Sequence, residues 1–305
     1  MSRHHRRRRE RSRDRAHDRV GDKRDYFWRH FPVEKRRDLQ IDEEALYSVS
    51  KYEFALQQAK VLRRFVQIAK DSDVRSSVTD GSACVGGDTL ALAAVFRNVT
   101  AVELNEARFE MLRSNVRVAL DECDARHVTC LCGDFNELVS TRDELDTLCL
   151  YLDAPWGGVD YRSKDRMVLR LGELHLGDCV MRAKEARPGL QAVGLKLPNN
   201  VDLEDLQQRL SDCRGCQMRI GKWTFVVLDF VRCEKSFRRK IDEIKDRYAL
   251  EVRQLDQIKD RRGSKSDEQQ PQTQADSESK TESNEQPDGV SEDARTQAET
   301  ASDHE

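Results

Sequence analysis

The chain has 305 residues, 37% of them hydrophobic and 36% charged, with a net charge of −3. This composition allows one sizeable folded core with polar tails, and it excludes a membrane-spanning protein because no apolar segment has the required length. An odd count of nine cysteines argues against a disulfide framework, and the isolated Cys213-Arg-Gly-Cys216 motif has no further ligands that would complete a metal site.

The charges are concentrated at the two ends of the chain. Residues 1–24 hold eleven Arg and Lys against four acids, and residues 264–305 hold three against twelve. The first segment is predicted to be a disordered Arg-rich arm that binds phosphates, acts as an import signal or is a solvated tail with no partner. The acidic segment is predicted to be disordered as well.

Between these ends, short apolar segments alternate with longer amphipathic ones, which predicts a doubly wound α/β sheet. The predicted strands are Val74–Thr79, Asn98–Leu104, His127–Cys132, Leu145–Asp153, Leu190–Leu197, Gln217–Lys222 and Thr224–Val231. The predicted helices are Asp88–Phe96, Glu106–Leu120, residues 172–187 and Val201–Leu210. The expectation is a seven-stranded sheet that ends in a hairpin.

A charged amphipathic helix is predicted for residues 234–263. Its apolar residues fall at spacings of three and four: Phe237, Ile241, Ile244, Tyr248, Leu255 and Ile258. The 237–258 stripe either recruits a protein partner or extends past the domain and packs on it in part.

The loop after the first strand, residues 80–87, reads Asp-Gly-Ser-Ala-Cys-Val-Gly-Gly. Its small residues, with Gly81, Cys84 and Gly86 among them, let the backbone approach a nucleotide-type ligand. Acids follow three successive strands. Asp80 is placed for a cationic group, Glu103 for ribose hydroxyls and Asp134 for an adenine amine. With the box described next, they favour S-adenosylmethionine over NAD as the cofactor.

The fourth strand closes with Asp153-Ala-Pro-Trp-Gly-Gly-Val-Asp-Tyr161. An exocyclic amine on a purine is a poor nucleophile, so an enzyme must orient it and accept its N–H hydrogen bonds. Asp153 and the Ala154 carbonyl are placed for this, next to Pro155, and Trp156 offers an aromatic face to the base. Orientation and desolvation are expected to contribute more to the rate than a strong base.

Five segments in the right order resemble the trimethylguanosine synthase family, which methylates N2 of a 7-methylguanosine RNA cap. They begin at Asp80, Cys132 and Pro155, and include Ile41–Ser50 and Leu197–Asp202; the resemblance spans residues 24–233. It implies a Rossmann-like methyltransferase domain at 71–233, preceded by a helical extension at 25–70 that contributes to the active site.

The resemblance also implies roles for individual residues. Asp80, Glu103, Asp134 and Asp153 would bind S-adenosylmethionine, and Ser50 would close its pocket. Trp156 would stack on the cap base beside the transfer site at Asp153 and Pro155. The substrate side would also include Asn200, and Lys222 with the Arg-rich arm would meet phosphates.

Three departures from the family pattern concern the substrate. Ala154 replaces the first of two prolines, Leu46-Tyr47 stands in place of an aromatic pair, and Asn199 stands where a basic residue is common. Two alternatives therefore stay open: methylation of another RNA amine (guanine N2 or adenine N6 in tRNA or rRNA), and a cap- or RNA-binding module without turnover. The expected partner is a capped small nuclear, nucleolar or spliced-leader RNA, and the catalytic domain is expected to be monomeric. The expected location is the nucleus, including the nucleolus or Cajal-body-like sites, with the cytoplasm as the alternative.

Overall fold

The computed structural model describes residues 22–67, 76–211 and 213–255, except for the side chain of Val159. Most of the Arg-rich arm, the start of the predicted first strand, Ile258 and the acidic tail lie outside the described residues. No helix in these three ranges has the length and hydropathy needed to cross a membrane.

One large mixed sheet forms the centre of the fold. Its strands are β1 (Ser77–Asp80), β2 (Asn98–Glu103), β3 (Val128–Cys132), β4 (Cys149–Leu152), β7 (Ala192–Leu197), β8 (Arg214–Ile220), β9 (Trp223–Asp229) and β10 (Val252–Gln254). Their order is β10-β8-β9-β7-β4-β1-β2-β3. The five strands from β7 to β3 are parallel, and β9, β8 and β10 are antiparallel to their neighbours. A separate small hairpin pairs β5 (Arg170–Leu171) with β6 (Leu174–His175).

Helices cover both faces of the sheet, as the alternation of segments predicts. They are α1 (Lys23–Phe27), α2 (Val33–Asp38), α3 (Ala45–Ser48), α4 (Tyr52–Arg63), α5 (Gly87–Ala93), α6 (Glu106–Ala119), α7 (Glu122–Ala125), α8 (Phe135–Thr141), α9 (Leu176–Ala186), α10 (Leu203–Arg209) and α11 (Glu234–Tyr248), with 3-10 turns at Asp143–Leu145 and Gly158–Ser163. The doubly wound α/β prediction is confirmed. Every residue of β4 is buried, as expected for a central strand covered on both faces.

The predicted strand count of seven was one too low, because the predicted helix at residues 234–263 ends early. The helix α11 ends at Tyr248, and Ala249 takes a left-handed conformation with φ of 50°. The chain then turns back, and β10 pairs with β8 at the edge of the sheet. The pairing of β10 was hidden in the sequence because Val252 is its only buried residue, so the strand carries no alternating pattern.

The apolar stripe of α11 does not form a free surface for a partner. Phe237 and Ile244 are fully buried and Ile241 nearly so, all within the core cluster that contains Phe65. At these three positions the stripe packs on the domain, which is the second of the two alternatives; recruitment of a protein partner by the rest of the 237–258 segment stays a prediction.

The N-terminal helices are tied to the loop after β1 through Asn115 in α6. The Asn115 amide accepts from the Gln40 backbone N–H at 2.7 Å and donates to the carbonyls of Gln40 and Val85, each at 2.8 Å. Arg108 adds ion pairs to Asp42 and Glu44. These contacts hold the segment that ends at Ser50 against the carboxyl end of the sheet.

Candidate active site

A cavity of about 500 Å³ opens where the parallel strands end. Such an edge is where open α/β sheets bind ligands, because the loops after successive strands meet there. Predicted site residues that line the cavity are Gly81, Cys84, Glu103, Asp134, Asp153 and Pro155.

The glycine-rich loop after β1 is shaped by close backbone contacts. A Cβ at Gly81 would lie 2.6 Å from a methyl group of the Leu152 side chain, so a larger residue there would have to displace this buried side chain. Gly86 has a φ of +96°, a conformation that glycine adopts without strain. Gly86 does not itself line the cavity; it turns the chain into α5.

Glu103 anchors this loop and still faces the cavity. One carboxylate oxygen accepts from the Cys84 N–H and the other from the Asn105 N–H, both at 2.8 Å. Because a carboxylate has about four acceptor positions, two remain for a ligand diol. Burial raises the pKa of the Cys84 thiol to about 12, so this cysteine stays a neutral wall residue.

Asp134 closes another side of the cavity. Its Oδ1 caps α8 by accepting from the Asn136 N–H at 2.8 Å. Gly172, in the turn between β5 and β6, approaches so closely that an added Cβ would lie 3.2 Å from Asp134 Oδ2. The small hairpin therefore covers this carboxylate, which fits recognition of a flat, amine-bearing ring.

Asp80, predicted to meet the ligand, lies just behind the cavity wall. It is fully buried, and its Oδ2 accepts from the Thr89 hydroxyl at 2.7 Å. Burial, and next the nearby Asp88 carboxylate, raise the pKa of Asp80 to about 7. Asp88 lines the cavity instead, and its Oδ1 is buried without a hydrogen-bond partner among the described residues.

A buried lysine joins these carboxylates to the end of β4. Lys196, in β7, is 2% exposed; its ammonium donates to Ser50 Oγ at 2.6 Å, pairs with Asp153 Oδ2 and lies 3.6 Å from Asp88. Ser50 donates in turn to Asp88 Oδ2 at 2.9 Å. Ser50 is thus fully buried below the cavity and holds the cluster together.

The box after β4 brings Asp153 and Trp156 to the same end of the sheet. The Asp153 N–H donates to Ser82 Oγ at 2.8 Å, which joins this loop to the loop after β1. Asp153 Oδ1 makes no hydrogen bond within the described residues and belongs to a side chain that lines the cavity. Ala154 is buried at 1% exposure, so the missing proline is replaced by a well-packed side chain.

Trp156 lies in an aromatic group next to the cavity. Its ring centroid is 5.2 Å from that of Tyr161 and 6.3 Å from that of Trp223. Trp156 Nε1 is buried and unpaired in the described structure, so a donor is available there. The Lys196 ammonium lies 5.5 Å from the Trp156 centroid and 4.9 Å from the Trp223 centroid.

The two remaining predicted substrate residues lie away from the cavity wall. Asn200 donates to the backbone carbonyls of Tyr161 and Lys164, both at 2.7 Å, and thereby shapes the loop that carries Trp156. Lys222 is exposed in the β8–β9 turn, where its carbonyl accepts from Asn199 at 2.9 Å. Asn199 therefore supports the turn that presents Lys222 and Trp223.

Comparison with known proteins decides among the families that use such a site. A family model described as RNA cap guanine-N2 methyltransferase matches residues 75–237, more than half of the chain. The chain belongs to the RNA cap guanine-N2 methyltransferase family. This family uses S-adenosylmethionine as its cofactor.

Individual relatives of this cap methyltransferase family member are distant. Uncharacterized protein L320 of Acanthamoeba polyphaga mimivirus is 27% identical over 151 residues, which are 50% of this chain and 57% of the viral protein. A putative methyltransferase from Porphyromonas gingivalis W83 is 19% identical, with a TM-score of 0.47 over 64% of this chain and 44% of that one. The O-methyltransferase from Bacillus cereus in complex with SAH is 11% identical, with a TM-score of 0.43 over 71% and 96%. Similarities at this level carry no conclusion about the substrate.

The residues present fit S-adenosylmethionine. The orphaned, buried Asp88 Oδ1 provides an acceptor for the cationic amino group, Glu103 retains acceptor capacity for ribose hydroxyls, and Asp134 lies on a third side. Three carboxylates, of Asp80, Asp88 and Asp153, are opposed by a single ammonium in this cluster. Because burial raises the pKa values of Asp80 and Asp153, these two carboxyls are only partly ionised near neutral pH; the remaining negative charge of the cluster favours a ligand that carries an ammonium and a sulfonium.

Asp88→Asn is expected to weaken S-adenosylmethionine binding about 10- to 100-fold. The substitution keeps the side-chain shape but removes a charged hydrogen bond of roughly 1.5–3 kcal/mol, and about 1.4 kcal/mol corresponds to tenfold in affinity. Isothermal titration calorimetry measures the change, with the exposed Asp165→Asn as control. An unchanged dissociation constant would mean that Asp88 serves only to pair with Lys196.

Asp88 and Lys196 were not among the predicted site residues. A signal for Lys196 was present, because it is the only charged residue in the apolar strand Ala192–Leu197 and a lysine there must be paired. Asp88 follows the glycine pair of the cofactor loop and lies in the first turn of α5. Acidic residues are common in the first turn of helices, so this position gave no specific signal for a site.

Proposed function

We propose that this chain methylates N2 of the guanine in a 7-methylguanosine RNA cap. The observation that carries the proposal is Asp153, which lines the cavity with its Oδ2 held by Lys196 and its Oδ1 without a hydrogen bond among the described residues, two positions before Pro155 and three before Trp156. The family match supports guanine N2 as the target amine.

The chemistry fits a carboxylate that orients more than it deprotonates. S-adenosylmethionine, when bound, supplies an electrophilic methyl group on a sulfonium. Asp153 Oδ1 would accept an N–H of the target amine and aim the nitrogen lone pair into the cavity. Once the N–C bond has formed, the amine proton would pass to the same oxygen. Burial raises the pKa of Asp153, which suits it to hold that proton.

Trp156 would hold the base. Stacking on an indole contributes about 1–3 kcal/mol per base, and a cationic base such as 7-methylguanine adds roughly 0.5–2 kcal/mol through cation–π attraction. Exposed Lys164 and Lys222 on the flanking loops fit the cap phosphates, together with the Arg-rich arm.

One observation favours a second candidate, a neutral guanine or adenine amine in another RNA. The Lys196 ammonium already lies 5.5 Å from the Trp156 centroid, and a second positive charge on the base would repel it. The ion pair of Lys196 with Asp153 reduces that repulsion, so the cap base stays the first choice. A nuclear location is part of the proposal, on the strength of the basic arm and the nuclear RNAs that carry such caps.

Binding of cap analogues separates the two candidates. We expect 7-methyl-GTP to quench the tryptophan fluorescence with at least about tenfold higher affinity than GTP, because only the methylated base is cationic. Saturating S-adenosylhomocysteine keeps the cofactor cavity filled during the titration. Equal affinities for both nucleotides would favour the neutral-base candidate.

A further inference from the structure

Lys196 is a buried charge at the site that the proposed chemistry leaves without a role. It lies between Leu195 and Leu197, both fully buried, and only its ammonium reaches the carboxyl end of β7. Burying a lysine costs free energy unless its ammonium is paired and hydrogen-bonded. The partners of the ammonium should therefore show why the lysine is buried here.

Within the described residues, the contacts of that ammonium are all with groups at the reaction site. It pairs with Asp153 Oδ2, donates to Ser50 Oγ and lies close to Asp88. Two indole rings, of Trp156 and Trp223, flank it at 5.5 and 4.9 Å from their centroids. One side chain thus contacts the acceptor carboxylate, the cofactor wall and the base-stacking group at once.

We propose that Lys196 is the positioning residue for the methyl-acceptor site. Its ammonium holds Oδ2 of Asp153, which leaves Oδ1 as the oxygen that faces the substrate amine, and its charge keeps this carboxylate an acceptor inside a buried cluster. The proposal rests on the methyl transfer proposed above, whatever the base.

The charges around Asp153 explain why such a residue is needed. Burial raises the pKa of Asp153, and the Asp88 carboxylate in α5 raises it further. Lys196 acts in the opposite direction and lowers the pKa of Asp153. The carboxylate of Asp80 and the phenol of Tyr151, which donates to Gln58, complete the titratable groups that interact with Asp153. Burial lowers the Lys196 pKa, but Asp153 and Asp88 outweigh it and raise the net value, so the lysine stays protonated.

A double-mutant cycle tests whether Lys196 acts through Asp153. Lys196→Met is expected to lower kcat about 10- to 100-fold, while S-adenosylmethionine affinity is maintained or improved because a competing cation near Asp88 is gone. The K196M/D153N double variant should be no more than about threefold slower than D153N alone. Fully additive losses, or a parallel collapse of cofactor binding, would assign Lys196 a merely structural role.

A second readout does not depend on turnover or substrate. In protein labelled with [13C]aspartate, the Asp153 carboxyl signal is assigned by its absence from D153N and titrated by NMR. We expect its midpoint to rise by at least about one pH unit in K196M and to stay near the wild-type value in K196R, which keeps the charge. An unchanged midpoint in K196M would overturn the proposal. If the wild-type protein showed no activity on capped RNA while the midpoint shift in K196M was present, only the proposed substrate would be overturned.

Discussion

Replacing Trp156 with alanine is expected to lower the affinity for 7-methyl-GTP at least about tenfold, with S-adenosylmethionine affinity within about threefold of wild type. The loss combines base stacking, roughly 1–3 kcal/mol, with cation–π attraction of roughly 0.5–2 kcal/mol. Cofactor binding should survive because Trp156 lies beside the cavity and does not line it. Fluorescence-independent titration calorimetry measures both affinities, since the substitution removes a reporter ring.

Trp156→Phe is the matched variant, because it keeps a stacking face while removing the indole N–H. We expect it to retain most of the affinity that alanine loses. The ring also packs against Tyr161 and Trp223, so thermal unfolding of each variant must be followed. If cofactor binding and cap binding fell together in W156A, the ring would be a packing residue instead of a base platform.

Asp153→Asn is expected to lower kcat about 100-fold or more, with only a few-fold change in S-adenosylmethionine affinity. The amide cannot hold the departing proton, and it presents an N–H donor in the positions where the carboxylate accepts. The change also removes the main partner of buried Lys196, which leaves it Ser50 and Asp88. Single-turnover methylation with radiolabelled S-adenosylmethionine separates this chemical step from binding.

The exposed Asp160, on the same loop, is the control. Asp160→Asn removes the same charge seven residues away and should leave the rate within about twofold of wild type, since its backbone carbonyl, not its carboxylate, holds Ser163. An Asp153→Asn enzyme with a normal single-turnover rate would remove Asp153 from the mechanism and leave orientation to Trp156 and the backbone.

The sequence predicted most of the sheet because its strands carry strong local signals. The apolar run that becomes β4 and the helix α6, with Leu112 and Val116 buried, follow the expected periodicities. The strand β10 could not be predicted in this way, because its formation depends on pairing with the edge of β8. The left-handed Ala249 that ends α11 gave no warning either, since alanine is a strong helix former.

Site residues could be predicted from the sequence where an acidic residue stands at the end of a predicted strand. Glu103, Asp134 and Asp153 were named on that basis and all line the cavity. The sequence alone could not predict which carboxylates lie together in a buried cluster. The cluster of Asp88 and Lys196 arises from residues more than one hundred positions apart that meet only when β7 lies beside β4.

The measurement that tests the central claim most directly is methyl transfer to a defined RNA. The purified protein is incubated with S-adenosylmethionine and a short RNA capped with either 7-methylguanosine or unmethylated guanosine, and digested nucleosides are identified by mass spectrometry. We predict 2,7-dimethyl- or 2,2,7-trimethylguanosine from the 7-methyl cap alone, with D153N as the inactive reference. Methylation of an internal guanine or adenine, or no cap product despite cofactor binding, would contradict the proposed substrate.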